Sequence, residues 1–132
     1  MRMPFLFWRA FFLVMFYDLL LARDDFPGIH RRVEKYPIRN GLLPNNPVDA
    51  EEVREKIYAT LNIACVWYPR RAECLQRSAV LTCLLRRYGF PAQMVIGTQK
   101  LPFRAHAWVE LDGRVVNDKQ DMPQLYAEIA RC

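Results

Sequence analysis

The spacing of apolar residues changes character once along this chain, at Gly89. Before it, apolar residues recur at helical intervals, most clearly at Val53, Ile57 and Leu61. After it, three segments have the composition and alternation of β-strands: AQMVIG, RAHAWVEL and RVVND. Helices that come first and are followed by an antiparallel sheet indicate an α+β domain. At 132 residues, the chain is long enough to bury the core of one such domain.

Two helices have clear termini in the sequence. The first begins with Asn46 as its cap and Pro47 in its first turn, and Tyr68 followed by a proline ends it. The second spans about residues 74–88 and ends at Gly89. The final segment, DMPQLYAEIARC, is predicted to form a closing helix.

The N-terminal segment is strongly apolar. Its core, FLFWRAFFLVMFYDLLL, predicts a helix over about residues 5–22, but Arg9 and Asp18 interrupt it and no small-residue cleavage site follows. A membrane-spanning helix would have about twenty nearly uncharged residues. We therefore expect an aromatic-rich helix that is buried against the domain or a partner protein, and we do not expect membrane association.

Residues 24–47 separate this helix from the rest of the chain. They contain four prolines, two glycines and many charges, which is typical of a loop and linker, with room for a short turn of helix around residues 31–35. His30 lies there and is expected to be a solvated loop histidine. The sequence therefore predicts an N-terminal helix and linker over 1–47 and a core over 48–132, within a single domain.

Charge and cysteine content argue against several classes of protein. The net charge is +5, from 19 basic and 14 acidic residues, but the arginines lack the aromatic interleaving of a single-strand nucleic-acid binder. The four cysteines form no CxxC pair and the two histidines are far apart, so no metal site and no cofactor is expected. Nothing in the sequence indicates secretion, so we expect reduced thiols and a cytoplasmic protein.

Three residues in the second half have the types that thiol catalysis requires. Cys74 begins a predicted helix, where free N–H groups and the positive end of the helix dipole stabilise a thiolate. His106 and Asp118 lie on neighbouring predicted strands. The sequence therefore predicts Cys74 as the nucleophile, His106 as its general base and Asp118 as the carboxylate that orients the base.

The predicted contact between His106 and Asp118 depends on the register of the hairpin between them. A two-residue Asp-Gly turn places the two side chains on opposite faces, while a three-residue loop that includes Leu111 pairs them directly. The longer loop also sets Glu110 opposite Arg114, and cross-strand pairs of this kind contribute about 0.2–1 kcal/mol each. We therefore predict the three-residue loop.

The helix that begins at Cys74 has two different sides. Cys74 and Leu81 lie on the side that faces the protein, whereas Gln76, Arg86 and Arg87 are expected to point away from it. For this reason Gln76 is a weaker candidate for an oxyanion donor than the backbone N–H of Cys74.

Other residues near the hairpin have alternative roles. Asn117 and Asp121 flank Asp118 in sequence and are alternatives to it as the residue that orients His106. Trp108 is expected in the core or in the wall of a pocket.

Residues 74–118 also carry a family resemblance. The segment CLQRSAVLTCLLRRYGFPAQMVIGTQKLPFRAHAWVELDGRVVND, about a third of the chain, resembles the lasso-peptide leader peptidases. These are small transglutaminase-like proteins that mature lasso-peptide precursors. The resemblance implies a papain-like or transglutaminase-like core, in which the cysteine helix packs on a small antiparallel sheet, with extra N-terminal helices. It puts the family's catalytic residues on Cys74, His106 and Asp118.

The resemblance also implies a reaction and a set of partners. The reaction is cleavage of the leader from a ribosomal precursor peptide, which frees the N-terminus of the core peptide for macrolactam cyclisation. Nothing in the chain resembles a fused leader-binding domain, so the implied partners are the precursor peptide, a separate leader-binding protein and the lasso cyclase. Two alternatives remain: a transglutaminase or other acyltransferase with the same triad, and a non-catalytic assembly partner.

Overall fold

The computed structural model describes residues 3–39, 43–100 and 103–132, without the side chains of residues 3 and 24–26. The strands form one antiparallel sheet in the order β3-β2-β1-β4. Helices that precede an antiparallel sheet confirm the predicted α+β class. In chain order the elements are α1 (Met3–Lys35), α2 (Pro47–Trp67), α3 (Cys74–Arg87), β1 (Gln93–Lys100), β2 (Phe103–Leu111), β3 (Arg114–Val115), α4 (Met122–Leu125) and β4 (Ala127–Arg131).

Helix α3 lies at the centre of the molecule, and every residue from Ser78 to Arg86 is buried. Its predicted ends are confirmed, since it begins at Cys74 and Gly89 follows it with a φ of 95°. The predicted cap of α2 is confirmed too, because the Asn46 side chain accepts a hydrogen bond from the Val48 N–H at 2.9 Å. Local signals were therefore sufficient for these two helices.

The prediction that Gln76 and Arg86 face solvent is wrong. Only 3% of Gln76 and 6% of Arg86 are exposed, because α1, α2 and the sheet together surround α3. The buried Arg86 guanidinium donates to the carbonyl of Ala92 at 2.8 Å and to those of Val33 and Tyr36. A buried charge is tolerated here because backbone oxygens replace its water.

Helix α1 is longer than predicted, since it continues through Pro27 to Lys35. The prediction of a linker from residue 24 is therefore wrong for its first half. A proline removes one N–H donor, but Ile29 and Val33 beyond it are fully buried in the same core as Leu6 and Val14. Burial of this extended apolar stripe outweighs the local signal of the proline.

His30 consequently lies in a helix and not in a loop. Its side chain is partly buried, and its Nδ1 lies 3.8 Å from a carboxylate oxygen of Glu34 one turn later. The expectation of a solvated loop histidine is therefore wrong.

The predicted closing helix is mostly wrong as well. After the single turn of α4, the chain forms strand β4, which pairs with β1 through Ile96 and Ala130. Beyond the end of β4, Met94 and Cys132 exchange two backbone hydrogen bonds, of 2.8 and 2.9 Å. The backbone N–H and C=O of Cys132 thus find hydrogen-bond partners at the edge of β1, and no local sequence signal specifies so distant a partner.

One face of α1 packs on the domain, as expected, and the opposite face is exposed. The stretch Pro4–Arg23 has a mean hydropathy of 1.8 and, by length and composition alone, would be able to cross a membrane; 33% of its most apolar 18 residues are buried. The buried residues of this stretch include Leu6, Ala10, Val14, Tyr17 and Leu20, and the large exposed apolar ones are Phe5, Trp8, Phe12, Phe16 and Leu19.

Candidate active site

Cys74 is the first residue of α3, at the end of the helix where N–H groups lack intrahelical partners. The preceding residue, Glu73, makes no capping hydrogen bond with its side chain. The thiol is half-buried and lines a cavity together with His106 and Asp118. The structure thus brings the three predicted residues to one place.

His106 and Asp118 are in direct contact, through the Nε2 of the imidazole and the Oδ2 of the carboxylate. Their side chains are 26% and 25% exposed, so the pair lies at the wall of the cavity. The other carboxylate oxygen accepts a hydrogen bond from the Lys119 N–H at 2.8 Å. Since Asp118 occupies Nε2, the remaining ring nitrogen available to a thiol is Nδ1.

The hairpin register that was predicted to create this contact is wrong. Leu111 pairs with Arg114 across a two-residue turn, in which Asp112 and Gly113 have φ values of 53° and 79°. Both positive φ values suit the twist of a tight hairpin. The ion pair on which the prediction depended is made elsewhere, because Glu110 contacts Arg131 of β4 at 3.0 Å.

The contact with His106 forms because strand β3 is short. It ends at Val115, and the chain bends over residues 116–118. In a longer strand, side chains would continue to alternate between the two faces of the sheet and Asp118 would point away from His106. The bend interrupts this alternation. Asn117 fixes this bend: its Oδ1 accepts from the Val109 N–H at 2.8 Å. The bend, and not the register, aims Asp118 at the imidazole.

Asn117 also joins the bend to α3. Its Nδ2 donates to the Ser78 hydroxyl at 3.2 Å, and that hydroxyl donates to the Ala107 carbonyl at 3.1 Å. The side chain that was an alternative for orienting His106 therefore bonds to Val109 and Ser78 instead. Sequence reasoning missed Ser78; the available signal was its position one helical turn after Cys74.

Aromatic side chains stand on one side of the imidazole. The rings of Trp108 and Tyr126 lie 6.3 and 5.6 Å from that of His106, between ring centroids. Trp108 is fully buried, as expected, and donates from Nε1 to Glu110 at 2.9 Å. Gly97 pairs with His106 across the sheet, and a Cβ there would lie only 2.8 Å from the Trp108 ring. The Tyr126 Cβ would lie closer still, at 2.7 Å, so the close approach of these two side chains requires glycine at this position.

A buried carboxylate ties α1 to the chain on both sides of Cys74. Asp18 accepts from the Tyr68 hydroxyl at 2.7 Å and from Gln76 Nε2 at 3.5 Å, and it lies 3.4 Å from the Arg70 guanidinium. The other amide atom of Gln76, Oε1, is buried without a hydrogen-bond partner. The sequence signal was present, since an acid inside an apolar helix is costly unless it is paired.

The other three cysteines have an environment that opposes ionisation. Burial raises the pKa of the Cys83 and Cys132 thiols to about 11, and it also raises the pKa of Cys65. Cys83 is fully buried, and its sulfur lies 3.1 Å from the Tyr17 hydroxyl. These three cysteines therefore resemble small apolar side chains that pack in or against the core.

Two cavities meet at Cys74 and His106. The larger, of about 560 Å³, is polar, with side chains that include Arg71, Glu73 and Arg77. The smaller, of about 270 Å³, lies between α3 and the sheet and has apolar walls. In the part of the chain that the structure describes, no group of three or more His, Cys, Asp or Glu side chains is arranged to hold a metal ion.

Comparison with known families identifies the superfamily of the chain. A family model described as the transglutaminase-like superfamily matches residues 20–131, most of the chain, so the chain belongs to this superfamily. The matched region begins inside α1 and extends through β4. The superfamily expected from residues 74–118 is thereby confirmed.

One individual relative gives more detail. The Microcin J25-processing protein McjB of Escherichia coli is 37% identical to the chain over 60 residues, which are 46% of this chain. The chain matches only 29% of the length of that relative. No solved structure matches the chain significantly.

Proposed function

We propose that this protein is a cysteine peptidase that removes the leader from a ribosomally made lasso-peptide precursor. The observation that carries the proposal is the contact of His106 with Asp118 in a cavity that Cys74 also lines, at the start of a helix. Membership of the transglutaminase-like superfamily and the similarity to a protein named for processing microcin J25 support it further.

The proposed mechanism gives each residue one role. Asp118 holds Nε2 of His106, so that Nδ1 takes the proton of the Cys74 thiol. The thiolate attacks the carbonyl at the junction of leader and core, and the backbone N–H of Cys74 donates to the resulting oxyanion. The C–N bond then breaks and His106 protonates the departing amine. Water hydrolyses the thioester, which releases the leader as a free acid and restores the thiol.

The partners and the location form part of the same proposal. We infer that a separate leader-binding protein delivers the precursor peptide and that a lasso cyclase uses the freed amine, in the cytoplasm. The family resemblance of residues 74–118 supports these partners, and the absence of a signal-peptide cleavage site after the N-terminal segment supports the location.

The direct test is incubation with candidate precursors, with and without a leader-binding protein, followed by mass spectrometry. Wild-type protein should yield a free leader acid and a core peptide with a free amine. Cys74→Ala and His106→Ala should each lower the rate by roughly a thousandfold or more while the circular dichroism spectrum stays unchanged.

A matched control is available at Cys65, which is also half-buried and lines the same polar cavity. Cys65→Ala should process precursors at close to the wild-type rate. Full cleavage by a folded Cys74→Ala protein would contradict the proposed mechanism.

A second candidate function is acyl transfer with the same triad, and membership of the transglutaminase-like superfamily favours it. An amine would then replace water, and the product would be a leader amide of different mass. Labelling at mildly acidic pH with an electrophile tests the non-catalytic alternative, because an inert Cys74 would react no faster than a free cysteine does at the same pH.

A further inference from the structure

The smaller cavity beside Cys74 draws its walls from four different elements. Leu75 comes from α3, Ile96 from β1, Ala105 from β2 and Ile129 from β4. Apart from His106, which both cavities share, the described residues that line it carry no charged side chain. The cavity is therefore an apolar recess that opens at the candidate nucleophile and its base.

The two cavities differ sharply in chemistry although Cys74, His106 and Ala107 line both of them. Arginine, glutamate, asparagine and aspartate side chains line the larger one, and aliphatic side chains line the smaller one. A peptide that passes Cys74 thus meets a polar wall on one side and an apolar recess on the other. Such an asymmetry distinguishes the side chains of a bound peptide.

The size of the recess limits what it accepts. Cavities that hold whole small molecules measure roughly 300–1,000 Å³, and this one measures about 270 Å³. One aliphatic side chain fits into a recess of this size without leaving polar groups unpaired. A charged side chain would lose its water there and find no partner.

We propose that this recess is a specificity subsite that takes an aliphatic side chain of the substrate peptide within two residues of the cleaved bond. The inference rests on the proposed peptidase function, and it adds the chemical class of the residue that is selected. Ile96 is buried and forms a fixed wall, whereas Ala105 and Ile129 are exposed at the rim and control entry.

The first experiment scans the two residues on each side of the cleaved bond in a precursor that the wild type cleaves. At one of the four positions, leucine should be preferred over lysine or aspartate by about tenfold or more in kcat/KM. Ile129→Asp should lower the ratio of leucine to lysine at that position by about tenfold. Ala105→Leu should fill the recess and shift the preference from leucine to alanine. Because ratios are compared, a general effect on the triad cancels.

Leu125→Asp is the matched control, because Leu125 is also an exposed aliphatic residue, 51% against 60% for Ile129, and does not line the recess. Its leucine-to-lysine ratio should equal that of the wild type. Equal ratios in wild type, Ile129→Asp and Ala105→Leu would overturn the subsite while leaving the peptidase proposal intact.

A second readout does not depend on cleavage. N-cyclohexylmaleimide should label Cys74 about tenfold faster than a cationic N-(2-aminoethyl)maleimide, with the labelled peptide identified by mass spectrometry. This ratio should fall towards one in Ile129→Asp and stay unchanged in Leu125→Asp. If no precursor is cleaved but the labelling ratio behaves as expected, the peptidase proposal fails and the recess stands. A wild-type ratio near one overturns the recess.

Discussion

The side-chain amide of Asn117 donates to the hydroxyl of Ser78 at 3.2 Å and thereby ties the bend after β3 to the second turn of α3. The same side chain accepts the N–H of Val109, a backbone donor that β3 is too short to satisfy. Asp118 follows directly in sequence, so these hydrogen bonds decide where its carboxylate lies. Asn117 is therefore a positioning residue for the contact between Asp118 and His106.

We expect Asn117→Ala to lower both stability and the proposed activity. A buried N–H at Val109 would lose its acceptor, at a cost of about 1–3 kcal/mol in the free energy of unfolding. The bend would no longer be fixed, so kcat should fall more than KM changes, and the pH profile of cleavage should shift. Urea unfolding and precursor cleavage measure the two effects. Asn45→Ala, at an exposed position, is the control; an unchanged pH profile in folded Asn117→Ala would show that Asp118 is held without it.

Arg86 and Arg87 are adjacent, but the first is buried and the second is partly exposed, so their replacement should change the free energy of unfolding by different amounts. Arg86→Leu removes a guanidinium that bonds to three carbonyls, among them that of Ala92, and leaves these acceptors unsatisfied. The free energy of unfolding should fall by about 3 kcal/mol or more, since hydrogen bonds to charged groups contribute about 1.5–3 kcal/mol each. Arg87→Leu should change it by less than about 0.5 kcal/mol. Equal losses in the two variants, measured by chemical denaturation, would contradict this account.

Asp18 should stabilise the packing of α1 against the segments on both sides of Cys74. Asp18→Asn keeps the shape of the side chain but removes the charge that strengthens its bond with Tyr68 and its pairing with Arg70. We expect a loss of about 1–2 kcal/mol in the free energy of unfolding, read from thermal or urea denaturation. Asp49→Asn, at an exposed carboxylate in the first turn of α2, should cost only a few tenths of a kcal/mol. A stability gain in Asp18→Asn would mean that desolvation of the carboxylate outweighs its partners.

The buried thiol of Cys83 predicts a loss of stability at alkaline pH. Burial raises its pKa from an ordinary value of 9.0 to about 11, so the unfolded chain releases this proton before the folded protein does. Its contribution is fully present below pH 9 and is lost as the pH rises from 9 to 11. A difference of two units between the pKa values of the unfolded and folded states corresponds to about 3 kcal/mol in the free energy of unfolding. Urea unfolding between pH 8 and 11 should therefore show a shallower decline for Cys83→Ala than for the wild type. Parallel curves would exclude Cys83 as the cause.

Local signals were enough for part of the fold. The asparagine cap of α2 and the glycine after α3 act through hydrogen bonds within a few residues, so their effect is visible in the sequence. The strands β1 and β2 were likewise recognisable from their composition and length. The residue types of the proposed triad were recognisable for the same reason, since a cysteine at a helix start is a local feature.

Predictions from the sequence are wrong where a segment far away in the chain binds or covers the residues concerned. Glu110 was paired with Arg114 in the predicted register because both lie in one hairpin, but Arg131 reaches it from β4. The prediction of a linker at Pro27 is wrong because the apolar residues beyond the proline, Ile29 and Val33, are buried in the core. Helical periodicity predicts that Gln76 and Arg86 face solvent, because it cannot reveal that a helix is covered on all sides.

The sequence by itself determined that helices come before the sheet, the ends of α2 and α3, and the identity of Cys74, His106 and Asp118 as candidates. These depend on composition, on spacing and on contacts between near neighbours. Only the tertiary structure decided how Asp118 meets His106, because that contact depends on a short strand, a bend and the bonds of Asn117 to two other elements. Hydrogen bonds between segments far apart in the chain have partners that no local pattern specifies.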